Sequence, residues 1–244
     1  MHRDFSSSRL VRLVGGWTPP PPPSGMDVAE RLGLWLNAFD AIKLQGAQQT
    51  RRPPTGRAQP APRQVLSELE QQMQRVRAAL AHAIAQDPVA WAGADPVQPG
   101  LAPFTRRHAE LQRHMEQMIG PLREQARLSL ASACPRLQPL AALDEVMQQV
   151  LSTREQPLLA GLPGLLAQRF AQLQAAAAQA LPPEIEELVP SSPPRPDPAA
   201  QAADHGLQAF RQDWRDALLA ELDLRLEPVA GLLTALNKEV NLSP

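Results

Sequence analysis

Tyrosine is absent from this chain of 244 residues, and cysteine occurs once, at Cys134. A lone thiol excludes an internal disulfide framework and a cysteine-rich zinc site, and it fits a reducing compartment. Aromatic residues are 4% of the chain, too few for the interleaved stacking platform of a single-strand binder. Neither sign of charge dominates, with 24 basic and 25 acidic side chains and a net charge of −1. A dedicated nucleic-acid binder carries a basic excess, so no specific nucleic acid is expected as a partner. No apolar run reaches the roughly 18 residues of a membrane span. The longest, Leu158 to Ala167, is broken by Gly161, Pro163 and Gly164. The N-terminus lacks a secretory pattern, because Arg9 and Arg12 interrupt its apolar residues and Pro19 to Pro23 follow. A cytoplasmic location is expected. Phosphate loops of the GxxxxGK[ST] and GxGxxG types are missing, as are a GxSxG elbow and HExxH. No cofactor, metal, catalytic residue or small-molecule substrate is therefore identified.

What the chain does have is proline, 27 residues in all, about twice ordinary usage. Arginine outnumbers lysine 22 to 2, since Lys43 and Lys238 are the only lysines; with abundant alanine and proline this points to a GC-rich bacterial genome. The prolines concentrate at Pro19–Ser24, in the Arg/Pro/Gln stretch Gln48–Pro62, and between Leu181 and Ala203. Such composition favours extended, solvated linkers.

Between the linkers the apolar period is helical. Met26–Leu44 carries Val28, Leu32, Trp35, Leu36, Phe39 and Ile42 on one stripe, with Asp27 as N-cap. From Arg63 to Asp87 the stripe is Leu66, Leu69, Met73, Val76, Leu80 and Ala83, alternating steps of three and four like a heptad seam; Asp87-Pro88 ends it. Phe104, His108, Leu111, Met115, Met118 and Leu122 form a second seam, with a kink or break expected at Gly120-Pro121. Leu140, Leu143, Met147 and Val150 continue the pattern until Pro157 and Pro163 interrupt, and Leu165, Leu166, Phe170, Leu173 and Ala177 follow. Leu207, Phe210, Trp214, Leu218, Leu222 and Leu226 make the last stripe, with a bend expected at Pro228. The expected fold is all-α, an elongated antiparallel helical bundle with long heptad-like helices. Its organisation reads as an N-terminal helical segment (1–47), a linker (48–62), a central long-helix bundle (63–181), a Pro-rich linker (182–203) and a C-terminal amphipathic segment (204–244).

The candidate seam for helix packing or partner binding comprises Leu66, Leu69, Met73, Val76, Leu80, Phe104, Leu111, Met115, Met118, Phe210, Trp214, Leu218 and Leu222. Partner helices can come from the same chain, from a second copy in a homo-oligomer, or from another protein. His108 within the seam reads as a packing residue. Glu110 and His114, four apart on one helix face, could supply two metal ligands but read more simply as a surface pair. Cys134 has no base nearby in sequence and reads as a packed thiol. Charge is uneven: residues 1–66 are net +5 and residues 181–244 are net −6. The ends can attract each other or face different partners.

Four strings carry a family resemblance: AERLGLWLNAFDAIKL (Ala29–Leu44), FTRRHAELQRHMEQMIGPLREQARLSLA (Phe104–Ala131), LAALDEVMQQVLSTREQPLL (Leu140–Leu159) and DWRDALLAELDLRLEPVAGLLTAL (Asp213–Leu236). With them the chain resembles a bacterial domain-of-unknown-function family, DUF3348, which brings no activity and no catalytic residues. The resemblance implies a genetic setting beside envelope proteins, and so partners among envelope or inner-membrane proteins. The expected function is a non-enzymatic helical scaffold or adaptor for protein–protein assembly, a cytoplasmic accessory of an envelope complex. The alternatives are a nucleic-acid or anionic-surface binder using the basic N-terminal third, and an enzyme of unrecognised type.

Overall fold

The computed structural model describes residues 8–18, 30, 34, 36, 38–49, 61–91, 100–179 and 198–242. Val28, Leu32, Trp35, Asp27 and most of the three Pro-rich stretches lie outside the described residues. Those that are described form an all-α protein without strands. In chain order the helices are α1 (Arg9–Gly15), α2 (Ala38–Gln48), α3 (Pro62–Ala85), α4 (Pro88–Trp91), α5 (Ala102–Ala133), α6 (Gln138–Ala160), α7 (Leu162–Gln179) and α8 (Pro198–Leu242), with a 3-10 turn at Pro135–Leu137.

Local sequence explains most boundaries. Prolines open α3, α5 and α6 within their first two positions, where the missing N–H would be unpaired in any case. Asp87 joins α3 to α4: its Oδ1 accepts the Val89 N–H at 3.0 Å, capping the short helix that follows. Gly161 ends α6 by donating its N–H to the carbonyls of Pro157 and Leu158. The last helix begins at Pro198, so residues 198–203, expected within the linker, are helical.

Pro157, expected to interrupt the helical pattern, instead lies inside a helix. Pro121, Pro157 and Pro228 all lie within unbroken helices, α5, α6 and α8. Each removes one i→i−4 hydrogen bond and crowds the preceding turn. Burial on both sides holds α5 and α8 together across the defect: Met115 and Ile119 precede Pro121 and Leu122 follows it, while Leu222 and Leu226 precede Pro228 and Val229 follows, all of them buried. Gly120 also relieves the clash that a proline imposes on the residue before it in the helical region, because it has no Cβ. Pro157 is exposed and has no such compensation. Replacing it should therefore stabilise the protein. For Pro157→Ala we expect a gain of about 1–3 kcal/mol, the helix-interior proline penalty less the entropy that proline removes from the unfolded chain. Calorimetry should show a Tm several degrees higher; an unchanged Tm would contradict this reading of α6.

α8 is the hub. Its 45 residues give a rod of about 68 Å, and it packs against α1, α3, α4, α5, α6 and α7. All thirteen seam residues lie in the resulting core. Leu66, Leu69, Leu80, Phe104, Leu111, Met115, Phe210, Trp214, Leu218 and Leu222 are buried; Met73, Val76 and Met118 are partly buried against them. Four aromatic rings tie α5, α7 and α8 together edge to face. Phe104 stands 5.0 Å from Phe210 and 5.6 Å from Trp214, and Phe170 stands 4.8 Å from Phe210, spacings typical of favourable ring pairs. Where α7 crosses α8, Gly206 admits the close approach: a Cβ there would sit 3.4 Å from Leu173 O and from the Ala177 methyl.

The N-terminal stripe behaves differently. Phe39 and Ile42, expected on its buried side, are 76% and 66% exposed. The reason is geometric: α2 packs on α6 and buries Ala47, which turns these two side chains outward.

Candidate functional site

The chemistry of the chain collects where α5 and α8 cross. His108, in the α5 seam, and Glu221, in α8, both have fully buried side chains. His108 Nε2 stands 3.4 Å from Glu221 Oε2, an ion-pair distance longer than a well-formed hydrogen bond. Neither ring nitrogen has a hydrogen-bond partner among the described residues. Around the ring are Leu101, Phe104, Leu166, Phe210 and Trp214, and the gap between them has no room for a water. The carboxylate is better supplied. Gln112 Nε2 donates to both of its oxygens at 3.1 Å and to the Leu159 carbonyl at 3.2 Å. Arg225, one turn along α8, donates from Nε to Glu221 Oε1 at 2.9 Å. Burial alone would raise the Glu221 carboxyl and is the largest single influence; His108, Arg225 and Gln112 together outweigh it and hold the group below its ordinary value of 4.5.

That direction fixes a pH dependence. A carboxyl lowered by folding stabilises the native state fully above its unfolded value, and the contribution is lost as pH falls through the lower folded value. Urea unfolding should therefore show stability falling below pH 4.5, and Glu221→Gln should fall less steeply there than the parent. Equal slopes would mean that other carboxylates set the acid limit.

Above this buried pair lies an open cleft of about 360 Å3 between α5, α6 and α8. Gln112 and Arg225 line it as well as touching Glu221, so they connect the buried carboxylate to the surface. Arg123 lines it from α5 and is clamped by Asp144 of α6, Nε to Oδ2 at 2.9 Å and Nη2 to Oδ1 at 2.6 Å. Arg127, behind it and buried, bonds Gln148 at 2.6 Å and also meets Asp144 and Glu124.

The remaining candidates are used structurally. Arg107 bonds the fully buried Asp87 at 2.6 Å and Glu110 at 2.8 Å. Asp87 chiefly, then Glu110, raise the Arg107 guanidinium further, and the Arg107 hydrogen bond lowers Glu110. Glu110 thus faces a cation, and His114 is exposed on the same helix. Among the described residues no group of three or more His, Cys, Asp or Glu side chains is placed to hold a metal. Cys134 is a half-buried free thiol that caps α5 and packs on the core. The uneven charge has a local expression: Arg9 bonds Asp216 at 2.9 Å and approaches Asp223 at 3.8 Å, and Arg77 bonds Asp223 at 2.8 Å. Basic side chains of α1 and α3 thereby cover acidic ones on α8. The arginines of the Gln48–Pro62 stretch, Arg51, Arg52 and Arg57, which belong to the basic N-terminal third, lie outside the described residues.

Sequence reasoning did not single out Glu221. The signal was present: Leu207, Trp214 and Glu221 are seven apart, so the carboxylate occupies the heptad position of two core residues, and His108 occupies a seam position on α5.

No helix among the described residues is long and apolar enough to cross a membrane. No curated protein and no solved structure matches the chain. Residues 1–238 match the family described as protein of unknown function, DUF3348, and the chain belongs to that family.

Proposed function

We propose that the chain is a non-enzymatic helical adaptor that holds another protein, acting in the cytoplasm as an accessory of a bacterial envelope complex. The observation that carries this reading is the outward face of α2. Phe39 and Ile42 are three apart, share one helix face and stand 76% and 66% exposed, on a helix docked through its other side onto α6. The long seams leave no comparable face, because their side chains are spent inside the chain. Closure of the His108–Glu221 pair from solvent supports the non-enzymatic part: neither group is open to a substrate.

The test is a photo-crosslinking residue at position 39, with a control at exposed Thr234, followed by capture from the native host. Crosslinking to an envelope-associated protein from position 39 alone is the expected result. The double variant Phe39→Ser/Ile42→Ser should abolish capture while changing stability by about 0.5 kcal/mol or less, as surface changes do. Equal capture by the variant and the parent would refute the reading; a specific crosslink to a second copy would instead make the chain its own partner.

A further inference from the structure

Three arginines line the α5–α6–α8 cleft; Arg113 is exposed, while the guanidinium groups of Arg123 and Arg225 are set in place before anything binds there. Asp144 accepts from Nε and Nη2 of Arg123 on its two oxygens, and Glu221 Oε1 accepts from Nε of Arg225 and stands 2.9 Å from its Nη2. Both carboxylates are shielded, with side-chain exposures of 13% and 0%. Nη1 of each arginine has no partner among the described residues. An arginine held from behind by a carboxylate keeps its remaining donors in a fixed plane, so little side-chain entropy is lost when they meet an anion. The opposite charge is present too: Glu116 of α5 and Glu155 of α6 line the same cleft and are exposed, with no ion pair among the described residues. Ile119 and Leu159, both buried, give it an apolar floor. The cleft stays open because Gly120 and Ser152 line it with small side chains; a Cβ at Gly120 would meet nothing within 4 Å. Its 360 Å3 falls in the range of small-molecule sites, about 300–1,000 Å3.

A plain anion would suit the arginines and be repelled by the two glutamates, and a plain cation would meet the reverse. We propose that this cleft binds a small zwitterion of the amino-acid or dipeptide class, its carboxylate on Arg123 and Arg225 and its ammonium between Glu116 and Glu155. Paired recognition of this kind makes both charges of the ligand necessary, since removing either leaves desolvated protein charge unmatched.

Isothermal titration of the full chain tests this with L-leucine, L-arginine, L-glutamate and dialanine, each beside its N-acetyl and amide-capped forms, and with succinate and inorganic phosphate. At least one uncapped zwitterion should saturate the protein at millimolar concentration or below, and either cap should weaken it at least about tenfold. Ser152→Phe, which fills the cleft, should abolish binding with the circular dichroism spectrum retained. Glu116→Gln/Glu155→Gln changes only two exposed side chains and keeps the test open if the phenylalanine variant fails to fold; it should weaken the uncapped ligand about tenfold and leave the N-acetyl form unchanged. Failure of every zwitterion to bind would overturn the proposal. So would succinate or phosphate binding as tightly as the zwitterion, or full affinity in the double glutamine variant.

Discussion

Trp214→Ala should be the most damaging single truncation in the protein, costing about 3–5 kcal/mol and lowering Tm by about 10 °C or more. Trp214 is fully buried, meets Phe104 edge to face and sits on α8, the helix that six other elements share. Its removal opens a cavity at the junction of α5, α7 and α8, where rigid aromatic neighbours limit collapse. Trp214→Phe should behave very differently. The indole Nε1–H is buried without a hydrogen-bond partner among the described residues, and the adjoining gap cannot hold a water. Phenylalanine keeps the ring contact and removes that unpaired donor, so a cost of about 1 kcal/mol or less is expected. Urea unfolding followed by circular dichroism measures both. A phenylalanine variant as unstable as the alanine one would show that Nε1 is in fact satisfied and important.

Glu221→Ala should cost a similar amount, about 3–5 kcal/mol, because breaking a buried ion pair strands what remains. Arg225 would lose its carboxylate, Gln112 would lose two of its three acceptors, and His108 would face a void. His108→Leu alone should also destabilise, since it leaves Glu221 with less compensation for burial. The double variant His108→Leu/Glu221→Met fills the same space with apolar atoms and should recover most of the loss. With Glu221→Met as the second single variant, the double-mutant cycle predicts a coupling of about 1–3 kcal/mol between the two positions. Additive losses would mean that the pair is held apart by its surroundings and contributes nothing as a unit.

The all-α class was legible because the apolar side chains recur at three and four residues through long stretches, a pattern that depends only on helix geometry. Phe104, Leu111, Met115, Trp214 and Leu218 are readable as one buried surface for that reason. That the helices run on through Pro121 and Pro228 is not legible, for an equally local reason. Proline's penalty is a property of the residue, whereas the burial that outweighs it at Pro121 and Pro228 comes from other helices and is invisible in a short window. The exposure of Phe39 and Ile42 was likewise out of reach: a stripe of apolar residues states that a face exists, and only the packing partner decides whether it is covered. Of the cleft, nothing was legible. Arg123 meets Asp144 across 21 residues, and Gln112 meets Glu221 across 109, separations that no spacing motif records. His108 was visible as a polar intruder in a seam, and Glu221 was recoverable by counting sevens along α8.

Having one rod at the centre also sets the order in which the protein can be completed. Ribosomes add roughly 5–20 residues per second, so the 45 residues of α8 emerge over several seconds on the order of that rate. Throughout that interval α1, α3, α5 and α7 lack the surface they pack on, and their greasy sides stay open to chaperones or to one another. Newly made chains should thus be most prone to aggregation just before synthesis of α8 ends, and a separately supplied α8 peptide is the natural rescue.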